Sequence, residues 1–223
     1  MSDFHIRLYK DSDYDVVRNL FAQGLTEHIG TAFRRTLCLP HIWPVLLAMF
    51  LVPSQTTGSY VLSVTAVSIS VAVLWLLNRH GYVMYVMECL GDDMMDIQRY
   101  YLERDGYCFW VAESEGEIVG IVAAVPPCPP TGGNHVELKR MSVPTRHRGR
   151  GIAKALCRTV IDYAQKRGCE GVVLWTSISQ KNAANLYTNM GFQRTGFIYA
   201  PFLLAKMVDF RLVSFQLNFP AEG

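Results

Sequence analysis

The sequence Arg-Gly-Arg-Gly-Ile-Ala-Lys-Ala-Leu occupies residues 148–156, shortly after an apolar-rich run at 136–143. Apolar side chains then recur every fourth position at Ile152, Leu156 and Val160, which predicts a helix with one buried face. Glycines and basic residues therefore stand where a strand passes into a helix. The first N–H groups of a helix lack internal partners, and the helix dipole is positive there, so such an end binds phosphate. The stretch is interpreted either as a pyrophosphate cradle or as a solvated basic loop.

Charge and composition exclude several classes of protein. The chain has 223 residues and a net charge of only +2, so we expect no nucleic-acid partner. Its six cysteines include no C-x-x-C pair, and its six histidines show no ligand spacing, so we expect no metal site. The N-terminus carries no signal-peptide pattern, and the cysteines are interpreted as reduced in a cytosol-facing domain.

Strand-like and helix-like patterns are interleaved along the chain. The predicted elements are a strand at 4–10, a helix from Asp11, a helix from Asp92, strands at 107–113 and 118–125 joined by a turn at 114–117, a loop at 126–133, a strand at 135–143, a helix at 149–167, a strand at 171–176, a helix at 182–190 and a β-rich region at 192–219. Short turns between strands predict a mixed α/β sheet. A dinucleotide-binding fold is disfavoured because the G-x-G lacks its third glycine, and no P-loop motif occurs.

One segment has a different character from the rest. No Asp, Glu, Lys or Arg occurs from Thr36 to Asn78, and two apolar runs at 37–53 and 60–77 flank a polar break. The second run is long enough to span a bilayer, which takes about 20 apolar residues. The first is short and contains prolines, so it either spans or re-enters; buried core helices are the alternative for both runs.

Basic residues flank this segment on its outer sides. Arg34, Arg35 and Arg79 lie just outside the apolar runs, and the break between the runs contains no Lys or Arg. By the positive-inside rule, both ends are predicted to be cytosolic. The sequence thus predicts one domain from residues 1–35 and 80–223, interrupted by a membrane hairpin at 36–79.

Two motifs in a fixed order carry a family resemblance. The first is a strand ending Met-Ser-Val at residue 143, followed by Arg148-x-x-Gly151-x-Ala153; the second is A-x-x-L-Y-x-x-x-G-F at 183–192. Together they resemble the GCN5-related N-acetyltransferase (GNAT) family over about residues 3–35 and 85–220. The segments at 109–114, 119–124, 147–156 and 189–195, and the apolar insertion, look like its camello-like, or N-acetyltransferase 8-like, branch.

The resemblance implies the GNAT fold, a mixed, mostly antiparallel sheet flanked by helices, with the membrane hairpin inserted between the first and second helices. It also implies acetyl-CoA as co-substrate, with Arg146 as a rim charge. The residues assigned to acetyl-CoA are Met141, Val143, Arg148, Gly149, Arg150, Gly151, Ile152, Ala153, Lys154, Gln180 and Asn185. Relatives often have Asn seven residues before the motif tyrosine; here Gln180 stands there, so the choice among Gln180, Asn182 and Asn185 stays open.

The catalytic residues also follow from the resemblance. Tyr187 matches the family's general acid, which donates a proton to the departing thiolate; a core tyrosine is the alternative interpretation. Glu137 lies in the strand before the cradle, where some relatives carry a glutamate that acts as base through water. A solvated carboxylate is the alternative there, and His135 is a second candidate base.

The branch implies an endoplasmic-reticulum membrane enzyme, and the flanking charges predict that its catalytic domain is cytosolic. Its expected acceptors are the amines of small molecules such as cysteine S-conjugates or amino acids. Protein lysines of the secretory pathway are the alternative within enzymes. An inactive acyl-CoA-binding membrane protein that affects cell adhesion is the alternative from another class. The acceptor pocket is expected among the loops at 27–35, 80–95 and 196–206, and membrane lipid is the other expected partner.

Overall fold

The computed structural model describes residues 3–126, 134–201 and 205–220. Its strands are β1 (His5–Leu8), β2 (Cys108–Ser114), β3 (Glu117–Val125), β4 (His135–Ser142), β5 (Gly171–Ser177), β6 (Gln193–Tyr199) and β7 (Arg211–Asn218). Its α-helices are α1 (Tyr14–Thr26), α2 (Ile29–Leu37), α3 (Ile42–Thr57), α4 (Tyr60–Gly91), α5 (Ile152–Lys166) and α6 (Lys181–Asn189). Short helical turns at Asp11–Asp13, Gln98–Leu102 and Thr145–His147 complete the described elements.

The strands form one sheet of seven in the order β1-β2-β3-β4-β5-β7-β6. Only β4 and β5 are parallel, and every other neighbouring pair is antiparallel. A tight turn joins β2 to β3 through Glu115 and Gly116, whose φ angles are 51° and 80°. The predicted mixed, mostly antiparallel sheet is therefore confirmed. The β-rich region predicted at 192–219 consists of two strands, β6 and β7.

Helices cover both faces of the sheet because each presents an apolar stripe to it. On one face α5 buries Leu156, Cys157 and Val160 completely, at 0% exposure. A Cβ built on Gly120 of β3 would lie 2.9 Å from the Leu156 Cδ1 atom, so only glycine allows this close approach. On the other face α1 buries Val17, and the Gln98–Leu102 turn contributes a buried tyrosine.

The uncharged segment forms an exposed helical hairpin. In α4, 32 residues long, only 11% of the most apolar 18-residue window is buried, which contradicts the alternative of two core helices. Among the described residues α4 is the one helix long and apolar enough to cross a membrane. The 16 residues of α3 qualify only together with the preceding helices, from which α3 is bent by 71°. For the first apolar run, a membrane span and a re-entrant segment therefore both stay predictions.

Two predicted boundaries differ from the structure. The helix that contains the second apolar run does not end near residue 79 but continues to Gly91 and packs on the sheet domain through Tyr82 and Val86. The helix predicted from Asp92 was wrong in extent, because residues 92–96 form turns and only the short Gln98–Leu102 turn follows. Most of the loop predicted at 126–133 lies outside the described residues.

Candidate active site

The central parallel pair of strands separates at its carboxyl end. Strands β4 and β5 pair from His135 with Gly171 to Leu138 with Leu174, whereas β4 runs on to Ser142 and β5 to Ser177. Beyond Leu138 and Leu174 the backbone groups of the two strands no longer pair with each other. We call this opening between the strands the wedge. Helix α5 follows the end of β4 and α6 follows the end of β5, so all the sequence motifs meet at this wedge.

A bulge in β4 marks one wall of the wedge. The β3–β4 register passes from Ala123–Lys139 to Ile121–Ser142, which leaves one residue of β3 opposite two of β4. Arg140, in the bulge, has a φ of 54°, a left-handed conformation that is costly for a residue with a Cβ. Such strain persists only where the surrounding structure over-determines it.

A buried ion pair fixes this bulge. The Arg140 Nε and Nη2 atoms donate to the two Asp93 carboxylate oxygens at 2.8 Å each. Nη1 donates to the Tyr85 hydroxyl at 3.0 Å, and the Tyr101 hydroxyl donates to Asp93. The two charged side chains are 9% and 4% exposed. Because Tyr85 lies in α4 and Asp93 lies two residues after its end, this network connects the long apolar helix to β4.

The cradle has the geometry that a pyrophosphate requires. Gly149 and Gly151 have φ angles of 79° and 82°, and nothing lies within 4 Å of a Cβ built on either of them. Gly151 is the N-cap of α5 and no side chain caps that end. The first intrahelical bond runs from the Ala155 N–H to the Gly151 carbonyl, so the N–H groups of residues 152–154 lack helix partners and lie at the positive end of the helix dipole. The residues present fit the pyrophosphate of a coenzyme A thioester.

The arginines around the cradle are tied to the protein. Arg148 donates from Nε to the Val143 carbonyl at 2.9 Å and forms an ion pair with Glu27, so it links the end of β4 to α1. Arg150 lies 3.1 Å from His147 and also contacts the N-terminal segment. Arg146 pairs with an exposed glutamate on β3. The contacts of these arginines therefore hold the backbone of the cradle in place.

Tyr187 lies on α6 and is 5% exposed. Its ring packs against Phe192 and Phe215, with centroids 5.7 and 5.9 Å away, and its hydroxyl makes no hydrogen bond within the described residues. Burial raises the pKa of the hydroxyl well above its ordinary value. The phenol therefore stays protonated at neutral pH, the state that a proton donor needs.

Glu137 approaches the wedge from the other face of the sheet. It stands opposite Val125 of β3 and Val173 of β5, whereas Tyr187 belongs to the core on the α5 side. Its side chain is 9% exposed, and Lys139 lies 3.5 Å away. Burial raises the pKa of this carboxyl above its ordinary value. The solvated-carboxylate interpretation therefore does not describe it, and the acid and base candidates lie on opposite faces of the sheet.

The remaining predicted residues are placed less favourably for contact with a cofactor. The Gln180 side-chain oxygen accepts from the Thr176 hydroxyl at 2.9 Å and the Ser177 N–H at 3.0 Å, so it secures the end of β5. Asn185 is exposed on α6. His135 begins β4, at the opposite end from the wedge, where its Nε2 lies 3.1 Å from the Asn218 side-chain oxygen.

Sequence reasoning missed Glu27, Asp93 and Arg140. Asp93 and Arg140 are 47 positions apart, and no local pattern pairs them. A weak signal was present, because the successive basic residues Lys139 and Arg140 interrupt the two-residue alternation of a strand, as a bulge does.

Comparison with known proteins shows the family. A model of the acetyltransferase (GNAT) family matches residues 73–192. N-acetyltransferase 8 of Rattus norvegicus is 43% identical over 223 residues, which cover 100% of each chain. The chain belongs to the GNAT family. N-acetyltransferase 8B of Mus musculus is 42% identical over 222 residues, covering 99% of this chain and 95% of its own.

The GNAT fold is also seen in solved structures. Ribosomal-protein-alanine N-acetyltransferase from Brucella melitensis superposes with a TM-score of 0.55 at 18% identity, covering 96% of this chain and 99% of its own. As a GNAT protein, this chain is an N-acetyltransferase that uses acetyl-CoA. Among the residues that the structure describes, no group of three or more His, Cys, Asp or Glu side chains could hold a metal ion.

Proposed function

We propose that this GNAT protein is a membrane-anchored enzyme that acetylates the amine of a small molecule, such as a cysteine S-conjugate or an amino acid. The observation that carries the proposal is the wedge between β4 and β5, with the cradle on one side and the buried Glu137 on the other. The exposed apolar hairpin supports the membrane anchor.

Acetyl-CoA supplies the acetyl group as a thioester. The cradle from Arg148 to Lys154 binds its pyrophosphate through backbone N–H groups, and the exposed Lys154 adds positive charge at the rim. The backbone of Met141 and Val143, beyond the last β4–β5 pair, binds the pantetheine arm as an added strand would. An N–H of this segment stabilises the oxyanion that develops during transfer. Gln180 supports the acetyl-CoA site by holding the end of β5 in place. Asn185 contributes to acetyl-CoA binding from the exposed side of α6.

Proton transfer is divided between the two faces of the sheet. Glu137 accepts the proton of the acceptor ammonium, and its raised pKa brings it nearer to the pH at which a base is effective. Tyr187 donates a proton to the departing thiolate, and its unpaired hydroxyl is free to do so. Glu137 acts first, because the amine attacks only when neutral. When the tetrahedral intermediate collapses, the amide nitrogen releases a second proton, which restores the Tyr187 hydroxyl after its own proton has gone to the thiolate.

The hairpin sets the location. Its uncharged stretch ends at basic residues on both outer sides, so both ends lie in the cytosol with the catalytic domain. The resemblance to the N-acetyltransferase 8-like branch favours the endoplasmic-reticulum membrane. A lysine acetyltransferase of lumenal proteins would need its active site on the lumenal side, which these flanking charges disfavour.

The experiment is a CoA-release assay on the full chain in lipid nanodiscs, with cysteine S-conjugates, free amino acids and lysine peptides as acceptors. We expect turnover with the small amines and little with peptides. Turnover on lysine peptides alone would select the protein acetyltransferase. CoA binding without CoA release for any acceptor would select the inactive acyl-CoA-binding membrane protein.

A further inference from the structure

The base of the hairpin is joined to the segment before β7. The Thr36 hydroxyl lies 3.2 Å from the Asn78 side-chain oxygen and 3.2 Å from the Val208 carbonyl. Thr36 and Asn78 are 0% and 1% exposed. They are also the two ends of the stretch without charged residues. The polar contact thus lies where both apolar helices leave the sheet domain. It also attaches the segment at 205–210 to this base of the hairpin.

Further contacts make this attachment rigid. Arg35 forms an ion pair with Asp209, and His41 donates from Nε2 to the Met207 carbonyl at 2.8 Å. The Tyr82 ring of α4 packs edge-on against Phe210, with centroids 4.9 Å apart. The Tyr82 hydroxyl lies 3.1 Å from the Ser177 hydroxyl at the end of β5. The carboxyl end of the β5 strand, and with it the wedge, is therefore held beside the base of the hairpin.

Apolar side chains stand exposed at the same end of the sheet. Edge strand β6 exposes Phe197, Ile198 and Tyr199 at 47%, 50% and 38%, and the adjoining Met207 is 39% exposed. These four residues are called the β6 patch. Two basic residues accompany it, since Arg211 lies 5.0 Å from the Phe197 ring centroid and Lys206 lies 5.9 Å from that of Tyr199.

We propose that the β6 patch is a second contact with the lipid bilayer, beside the hairpin. The proposal rests on the membrane anchoring proposed above. The patch adjoins the segment attached at Thr36 and Asn78, where the apolar helices begin, so insertion of the hairpin brings the patch to the bilayer surface. Aromatic side chains suit that surface because the rings lie at the headgroup level. The exposed Lys206 can meet anionic lipids, whereas Arg211 is ion-paired with Asp209.

This contact has a consequence for the acceptor. A hairpin alone allows the domain to tilt about its base, whereas a second contact fixes the orientation. The patch lies on the edge strand next to β7, which pairs with β5 as far as Ser177. The open end of the wedge is thereby held close to the lipid surface. Amphipathic amines that partition into the bilayer then reach the wedge from the membrane rather than from bulk water.

The test uses a genetically encoded dansyl residue at position 197, 69 or 105 of the full chain, one position at a time, in nanodiscs of phosphatidylcholine and phosphatidylserine. Doxyl-labelled lipids quench fluorophores near the bilayer. Position 69 lies in α4 and is 59% exposed, and the Asp105 side chain is 89% exposed far from the hairpin. We expect quenching at 69 and 197 and none at 105.

The other outcomes separate the two proposals. Quenching at 69 without quenching at 197 would overturn the β6 patch and leave the membrane anchor intact. Absence of quenching at 69 would overturn the anchor, and the inference that depends on it. A rise in Tm on addition of CoA shows that each labelled chain is folded.

A kinetic comparison adds an independent readout. The double variant Phe197→Asp, Ile198→Asp is expected to raise KM about tenfold for a membrane-partitioning amine, the scale for losing about one buried apolar side chain. The KM for acetyl-CoA should be unchanged. The KM for a soluble amine should rise less, because both positions also lie in the stretch 196–206 where the acceptor pocket is expected. The matched control is Leu8→Asp on the other edge strand, where the side chain is 51% exposed. An equal change in KM for both amines would contradict a membrane contact.

Discussion

The sheet domain and the hairpin contain similar apolar side chains but expose them differently. In α5 the side chains of Leu156 and Val160 are 0% exposed, whereas in α3 and α4 those of Leu47 and Val61 are 57% and 79% exposed. Helix α5 achieves burial with one apolar stripe against a sheet, and α4 is apolar on all sides. The difference teaches that one region buries its apolar surface internally, whereas the other leaves it exposed, as the proposed membrane anchor would.

The junction between the two regions should be the most sensitive site. Asp93→Ala leaves the Arg140 guanidinium buried without its partner, which is expected to cost about 3–5 kcal/mol of unfolding free energy. Chemical denaturation in detergent micelles measures it. The control is Asp105→Ala, which removes an exposed pair with Arg167 and should cost less than about 1 kcal/mol. Similar losses for both variants would mean that burial of the pair is not what matters.

Truncation of one leucine to alanine in each region tests the comparison directly. Leu156→Ala should cost about 2–5 kcal/mol of unfolding free energy, because it leaves a cavity in a packed core. Leu47→Ala in the exposed α3 should cost under about 0.5 kcal/mol in micelles, because detergent fills the space. Denaturation of both variants under one condition is the measurement, and a large loss for Leu47→Ala would show that α3 packs against protein.

Removal of the Tyr187 hydroxyl tests the wedge without disturbing either region. Tyr187→Phe should lower kcat about 100-fold, the lower limit for loss of a general acid. CoA should still raise the Tm of the variant as it does for the parent, because a ligand of the native state stabilises it. Steady-state kinetics and thermal shift give the two readouts. Undiminished kcat would remove Tyr187 from the mechanism.

Glu137→Gln should have a small effect on stability, and one that depends on pH. Burial raises the folded-state pKa of Glu137 above its unfolded value, so the native state binds this proton more tightly than the unfolded state. The parent's stability therefore falls as pH rises through the interval between those two pKa values. Relative to the parent, Glu137→Gln should gain Tm at neutral pH and lose the gain in acid.

The control for this variant is Glu170→Gln at an exposed side chain, which should change Tm at neutral pH by less than Glu137→Gln does. In addition, kcat/KM of the parent should fall as the pH is lowered through the raised pKa of Glu137. The residual kcat/KM of Glu137→Gln should not show this fall. A Tm difference that is the same at every pH would contradict a buried, titrating carboxyl.

The comparison also explains what the sequence could predict. The start of α5 was predictable because Gly151 and the apolar spacing after it are local signals, and the exposed hairpin was predictable from a long stretch without charge. The Asp93–Arg140 pair was not, because it depends on residues brought together by the sheet. Asp93 follows a helix end and resembles an N-cap locally, so a new helix was expected where a buried ion pair occurs.

The end of α4 illustrates the same limit. Arg79 and His80 looked like the end of an apolar run, but neither residue breaks a helix, and α4 continues to Gly91 because Tyr82 and Val86 pack on the sheet domain. Charge patterning located the end of the uncharged stretch and not the end of the helix.

The most direct test of the account is alkaline carbonate extraction of membranes from cells that produce the full chain. Carbonate releases peripheral proteins and leaves integral ones in the pellet. The account predicts that the chain remains in the membrane pellet and becomes soluble only in detergent. Recovery of the intact chain as a soluble monomer without detergent would contradict it.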